Sequence, residues 1–388
     1  MIPEKYLFEQ SVRHPSMRAQ DIVKLCYQAA YGAEHLLSDP EAARRYFDSE
    51  YASVAADPSE QLYEEISPEV CRVNLTAWKV SGMPAEWLFR MFAASASASA
   101  DAAFGSPSKD GEGGDCVSRE CVQSSRELLK EYLKTAGELI ASGRIPISQE
   151  EWTAYLTRYL DAGMGAVHHS EPYRSMERPA YRIVGSRFLR VLPILQKAAI
   201  LLDGTNSEEY KSEETTFEKA PACIIAIDGR AASGKSTTAA LLETVLDAGV
   251  IHMDDFFLPP ALRTDARFRT PGGNVHWERF AEEVLPFLKI AESFSYRIFD
   301  CGEMDYNSER IVKASPWRIV EGSYSCHPEL GRYADVNIYS DVRPEEQLRR
   351  IVQRNGEQMA ELFRKRWIPL EEAYFEACRV KETADIIV

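Results

Sequence analysis

Gly229, Gly234, Lys235 and Ser236 stand in the order glycine, four intervening residues, glycine, lysine, hydroxyl residue. The apolar run Cys223-Ile224-Ile225-Ala226-Ile227 precedes them and a helical stretch, 237–246, follows. That context defines a phosphate-binding loop between a buried strand and a helix. Glycines let the backbone curl so that successive N–H groups face phosphate oxygens, and the helix adds its positive N-terminal end. Lys235 is placed to neutralise the β- and γ-phosphates of ATP, and Ser236 to offer its hydroxyl to a magnesium ion, Mg2+. Gly229, Ala231, Ser233, Gly234, Lys235, Ser236 and Thr237 are therefore the candidate nucleotide-binding positions.

A phosphate loop alone does not separate a phosphotransferase from a switch or a motor. The segment His252-Met253-Asp254-Asp255-Phe256-Phe257 follows the next expected strand, at the carboxyl edge of the sheet where open α/β folds bind ligands. Asp254 there could accept the proton of an attacking hydroxyl while Lys235 stabilises phosphoryl charge. The two aspartates could instead cap the following element. The turn-rich loop 269–277 could form part of an acceptor pocket through His276 or Trp277, or simply pack its tryptophan.

Several blocks beyond the loop resemble the uridine kinase family and its relatives, the phosphoribulokinases and bacterial pantothenate kinases. Asp254-Asp255-Phe256-Phe257 looks like the family's aspartate-serine-phenylalanine-tyrosine segment, which implies Asp254 as base. The segment 296–300 is similar to the one that touches the acceptor, implying Tyr296 and Asp300 as substrate-binding. Val320-Glu321-Gly322 resembles the strand end whose glutamate helps hold magnesium, implying Glu321. Leu348-Arg349-Arg350-Ile351 with Arg354 looks like the lid, implying Arg350 and Arg354 near the phosphates; four apart on a helix, they share a face. Segments 369–375 and 384–388 resemble the closing helix and last strand. The blocks keep family order across 221–388. One departure stands out: Cys301-Gly302-Glu303-Met304 occupies the place of the family's histidine-serine-arginine, so uridine is not implied as the acceptor.

The elements that must position these residues follow from periodicity. Short apolar runs at 223–228, 250–253, 317–320, 336–339 and 384–388 alternate with helical stretches, which predicts a doubly wound parallel sheet of the P-loop α/β class. Ahead of it, residues 1–204 read as a mainly α-helical domain. Ile22, Leu25, Cys26, Ala29, Ala33 and Leu36 recur at helical spacing, and Ser148 with Glu151 forms a capping box. Ser67-Pro68 reads as the start of a helix carrying Val70, Val73, Ala77 and Val80. Ala-Ser alternation and a glycine-rich tract predict a mobile insertion near 93–118, and 205–220 reads as an acidic linker.

The N-terminal half holds Glu34, His35, His168 and His169, which would suit a metal or anion site if they met, although hydrogen-bonded structural histidines are commoner. Arg174, Arg178, Arg182, Arg187 and Arg190 make a basic stretch that could meet a phosphorylated ligand or form surface ion pairs. With 388 residues, 45% hydrophobic and 27% charged, the composition is that of an ordinary globular chain, and no apolar run spans a membrane. A net charge of −15 disfavours nucleic acid and anionic membrane as partners. The N-terminus lacks a secretory pattern and the eight cysteines lack zinc spacing, so a cytoplasmic location with reduced thiols is expected. Two functions from different classes remain open at this point. One is an ATP-dependent kinase acting on a hydroxyl of a small molecule, oligomeric or not; the other is an ATP-sensing regulator with a partner-binding helical half.

Overall fold

The computed structural model describes residues 4–33, 39–104, 116–205 and 222–388. The chain divides into two compact units, Met1–Leu189 and Arg190–Val388. The division falls ahead of the expected linker, so residues 190–204 group with the second unit rather than with the first.

In the first unit, helices α1 (Glu4–Arg13), α2 (Ala19–Tyr31), α3 (Pro40–Ser53), α4 (Leu75–Val80), α5 (Ala85–Phe104), α6 (Cys116–Ala141), α7 (Gln149–Asp161) and α8 (Glu171–Glu177) surround a small antiparallel sheet. That sheet runs β1 (Tyr63–Glu65), β2 (Val70–Asn74), β3 (Tyr181–Gly185). The apolar face read from the sequence is the buried face of α2: Ile22, Leu25 and Cys26 are fully buried. Ser148 caps α7, its hydroxyl accepting the Glu151 N–H at 3.1 Å.

Two expectations for this unit are corrected. Val70 and Val73 lie in β2, not on a helix; Arg72 between them is buried against the Tyr181 ring and beside Glu64, so a charged residue occupies an inward position and disguises the strand. Residues 93–104 continue helix α5 rather than forming a loop, as suits a stretch so rich in alanine, the strongest helix former. Residues 105–115 of the expected insertion, and 206–220 of the linker, lie outside the described residues.

The second unit is a P-loop α/β fold. It begins with α9 (Leu192–Thr205) and holds a five-stranded parallel sheet: β4 (Cys223–Gly229), β5 (Gly249–His252), β8 (Trp317–Glu321), β9 (Val336–Ser340) and β10 (Ile386–Ile387). Their order across the sheet is β10-β9-β4-β8-β5. The first strand in sequence is therefore central, with the chain turning to β5 and β8 on one side and to β9 and β10 on the other. This is the switch point at whose carboxyl edge ligands bind. Ile225 and Ile227 are fully buried on β4, each stabilising the sheet by roughly 1.5–3 kcal/mol. Helix α10 (Lys235–Leu246) follows the phosphate loop directly.

A hairpin of β6 (Phe294–Asp300) and β7 (Asp305–Val312) forms a separate two-stranded sheet, with a bulge between Ile298 and Phe299. Short helices α11 (Asp265–Arg269), α12 (Trp277–Glu283) and α13 (Leu285–Leu288) precede it. Helix α14 (Pro344–Leu362), broken at Gly356 (φ 78°), runs through a π-turn into α15 (Ile368–Cys378). Among the described residues no helix is long and apolar enough to cross a membrane.

Candidate functional site

The loop after β4 is fixed by close packing. Gly229 (φ 135°) lies opposite Ser340 in the β4–β9 register, and a Cβ there would collide with the Ser340 carbonyl. Gly234 (φ 100°) caps α10 in a left-handed conformation, and a Cβ would lie 2.5 Å from the Arg190 guanidinium. Asp228, at the last turn of β4, is fully buried and accepts the N–H groups of Gly229 (2.7 Å), Tyr324 (3.0 Å) and Cys326 (2.9 Å) and the hydroxyl of Tyr374 (2.8 Å). Burial raises its pKa, and the donors oppose that rise. It anchors the loop from beneath.

Lys235 extends its ammonium to Gly229 O (2.8 Å), Arg230 O (2.9 Å) and Ser323 Oγ (3.2 Å). All three acceptors are neutral, so the charge is held in place without being neutralised. Ser323 in turn lies 2.9 Å from Glu371 Oε1, while Glu371 Oε2 accepts the Ala231 N–H at 2.9 Å. Burial raises the Glu371 pKa and Lys235 lowers it.

Ser236, at the start of α10, donates to Glu321 Oε2 at 3.0 Å. The other Glu321 oxygen lies 2.6 Å from His252 Nδ1, as the pairing of His252 with Glu321 across β5 and β8 dictates. A hydroxyl beside a carboxylate is a hard-oxygen donor set suited to Mg2+. Ser233 Oγ is buried with no hydrogen-bond partner among the described residues. These features fit a phosphate-bearing ligand with its divalent ion.

The two adjacent aspartates have different surroundings. Asp255 is buried, accepting the Tyr296 hydroxyl at 2.8 Å and Arg310 Nε at 2.7 Å. Asp254 makes no hydrogen bond or ion pair among the described residues and opens into a cavity of about 810 Å³ that Lys235, Ser236, Thr237 and Glu321 also line. Its carboxylate faces the cavity and is reached by solvent through it. Burial raises its pKa, Lys235 lowers it, and Glu321 raises it further.

Arg350 and Arg354 of α14 line the same cavity; Arg350 donates to Ala232 O (3.2 Å) and to Glu346 (2.7 Å). Ala231 and Gly234 line it too. Four expected acceptor contacts are placed off the cavity wall. Tyr296 is buried, holding Asp255 and accepting the His252 N–H at 3.1 Å. Asp300 accepts the Gly302 and Glu303 N–H groups within the hairpin turn. Trp277 stacks on His327 and beneath Arg267, and His276 is the residue preceding α12. For Tyr296, Asp300 and Trp277, local packing or turn formation takes the side chain's polar or aromatic surface, whereas His276 Nδ1 is buried without a hydrogen-bond partner among the described residues.

Residues without an assigned role in the sequence also reach the cavity: Arg190, Arg263, Ser323, Arg366 and Glu371. Arg190 donates to Ser233 O and Ser340 Oγ, both at 3.0 Å. Only its place in an arginine-rich stretch marked it, since nothing in spacing ties a residue forty positions upstream to the loop.

In the first unit, His169 is buried with Nδ1 2.9 Å from Asp21 and Nε2 2.7 Å from the Tyr181 hydroxyl. Both ring nitrogens are thus engaged within the fold. His168 is exposed, and Glu34 and His35 lie outside the described residues. Among the described residues no group of three or more histidine, cysteine or acidic side chains is disposed to hold a metal.

No protein-family model matches the chain, and no curated protein matches it in sequence. Among solved structures it is similar to a chain described as a possible uridine kinase from Bacillus stearothermophilus, at 21% identity over 50% of this chain and 99% of that one, with a TM-score of 0.35. A candidate fructose transport system kinase from Silicibacter sp. TM1040 is similar at 22% identity over 45% and 93%, TM-score 0.35. The D-glycerate 3-kinase of Cryptococcus neoformans var. grubii is similar at 15% identity over 47% and 88%, TM-score 0.34. All three are described as kinases, as the resemblance carried by the sequence blocks implied, and each likeness covers about half of this chain.

Proposed function

We propose that the second unit transfers the γ-phosphate of ATP to a hydroxyl group of a small molecule. One observation carries this reading: the Asp254 carboxylate has no partner among the described residues and opens into the cavity that holds Lys235 and Ser236. A phosphate-sensing loop has no use for such a base, whereas a phosphotransferase needs one facing the phosphates.

In this reading the loop from Gly229 to Ser236 and the start of α10 bind the phosphates, with Thr237 beside them. Lys235 stabilises charge on the transferring group, as do Arg350 and Arg354 from α14. Asp254 takes the proton of the acceptor hydroxyl. The acceptor's oxygen, once freed of that proton, bonds to the γ-phosphorus, the bond from that phosphorus to the bridging oxygen breaks, and ADP leaves. Ser236 and Glu321 supply oxygen ligands for Mg2+, which when bound draws charge from the phosphoryl oxygens. Met359, Phe363 and Trp367 line the cavity from the α14–α15 segment and give it an apolar wall.

The test is acceptor-dependent ADP release from a panel of small alcohols, comparing the unaltered chain with Asp254→Asn. Loss of the base should lower kcat by about 10²–10⁴-fold while ATP still binds. An unchanged kcat in Asp254→Asn would remove the assigned base. An ATP-sensing regulator would bind nucleotide and release no ADP in response to any acceptor, so the same assay separates the two functions.

A further inference from the structure

The cavity is more cationic than nucleotide binding requires. It is lined by six cationic side chains, Arg190, Lys235, Arg263, Arg350, Arg354 and Arg366, against three carboxylates, Asp254, Glu321 and Glu371. This excess sits in a chain whose net charge is −15. Lys235, Arg190 and Arg350 contact the phosphate loop itself, and Arg354 follows Arg350 by four residues on α14. A triphosphate with a divalent ion accounts for that group.

Arg263 and Arg366 lie elsewhere in the cavity. Arg263 follows Phe257 and Leu258, the residues that continue from Asp254, and its Nε is fixed on Leu258 O at 2.8 Å, leaving its terminal nitrogens uncommitted. Arg263, Cys301 and Asp254 line the same cavity. Arg366 stands over the Phe268 ring at 5.0 Å, and Phe268 belongs to α11, which begins at Asp265, two residues after Arg263. Among the described residues neither guanidinium has a carboxylate within ion-pair distance. The one acidic group expected to touch the acceptor, Asp300, is turned into the hairpin's own N–H groups. What remains on the Asp254 side is two unpaired guanidinium groups among the apolar side chains of Phe257, Leu258 and Phe268.

Resting on the phosphotransfer reading above, we propose that the acceptor alcohol carries an anionic group, a carboxylate or a phosphate monoester, that Arg263 and Arg366 bind. Guanidinium forks match either anion in a planar, two-pronged geometry. They would orient the hydroxyl at Asp254 and discriminate against neutral alcohols, which form neither guanidinium pair.

Matched alcohols that differ only in charge test this. Glycerol, glycerate and glycerol 3-phosphate, and ribose, ribonate and ribose 5-phosphate, are titrated into the full chain saturated with a non-hydrolysable ATP analogue, then offered with ATP. At least one charged member should bind about 10- to 100-fold tighter than its neutral partner. Whether the carboxylate or the phosphate is preferred names the anion. Arg263→Gln and Arg366→Gln should each remove most of that preference, raising KM more than they lower kcat, while the ATP analogue still binds. Arg263→Lys should restore part of it, which a purely structural role would not. Charged members that bind no better than their neutral partners overturn the proposal, as does a preference that survives both glutamine substitutions. Charge-selective binding without transfer to any member would keep the anion site and remove the phosphotransfer reading.

Discussion

Replacing Gly229 with alanine separates a loop that is built around its glycine from one that merely contains it. Gly229 has φ 135°, a conformation that L side chains rarely adopt. An added Cβ would press on the Ser340 carbonyl and lie 2.8 Å from its N and 2.9 Å from its C. Ser340 is paired backbone of β9 and supports Arg190, so it cannot retreat without breaking the ladder. Backbone strain costs about 1–3 kcal/mol and overpacking against fixed atoms about 1–3 kcal/mol more. Together these take roughly 2–6 kcal/mol from a total stability of about 5–15 kcal/mol. For a unit of this size the melting temperature should fall by about 4–24 °C. Gly331→Ala is the control: Gly331 has φ 65° and ψ −175°, and its Cβ would meet nothing within 4 Å, so only the backbone term applies. Thermal melts with and without an ATP analogue read both quantities. If Gly229→Ala melts with Gly331→Ala and shows the same analogue-induced shift as the unaltered chain, the close packing deduced for the loop is wrong.

Arg190 and Arg350 approach each other beside the loop, and burial followed by Arg350 lowers the Arg190 pKa, so Arg190→Gln should leave the ligand-free melting temperature equal or higher. It should also weaken ATP binding by about 10-fold, the loss of one charge-assisted contact, as calorimetry would show. Asp254 has its pKa raised in the fold, so its ionised form is disfavoured relative to the unfolded chain. Asp254→Asn should therefore melt higher at neutral pH, and the advantage should vanish as pH falls below the ordinary carboxylate range, in melts across a pH series. Burial lowers the His169 pKa from 6.5 to about 4. The unfolded chain then binds a proton that the fold refuses, so stability is lost as pH falls from about 6.5 towards 4, and His169→Gln should flatten that window while lowering the baseline.

Much of the second unit was legible because its signals are local. Five short apolar runs each became a strand of the parallel sheet, within one or two residues except for β10, which is shorter than its run. The phosphate loop announced itself by spacing and by its place between strand and helix. The β6–β7 hairpin was missed although Phe294, Tyr296 and Phe299 carry an inward alternation, because the bulge after Ile298 breaks its period. The part of the cavity around Asp254 was less legible. Tyr296 and Asp300 are placed by packing and by turn hydrogen bonds that no spacing encodes, and Arg263 and Arg366 reach the cavity from the 3-10 turn ahead of α11 and from the π-turn. In the first unit, β1–β3 escaped notice because buried Arg72 and Glu64 pair inside the fold, where sequence reading assigns charge to the surface.

The phosphotransfer claim meets its most direct test in following γ-labelled ATP and magnesium with the charged alcohols above, and locating the label in the products by ³¹P NMR. The expected result is a phosphate ester on the acceptor hydroxyl, formed by the unaltered chain and lost in Asp254→Asn although that variant still binds ATP. Label found solely in inorganic phosphate, or the same ester formed at an undiminished rate by Asp254→Asn, would contradict it.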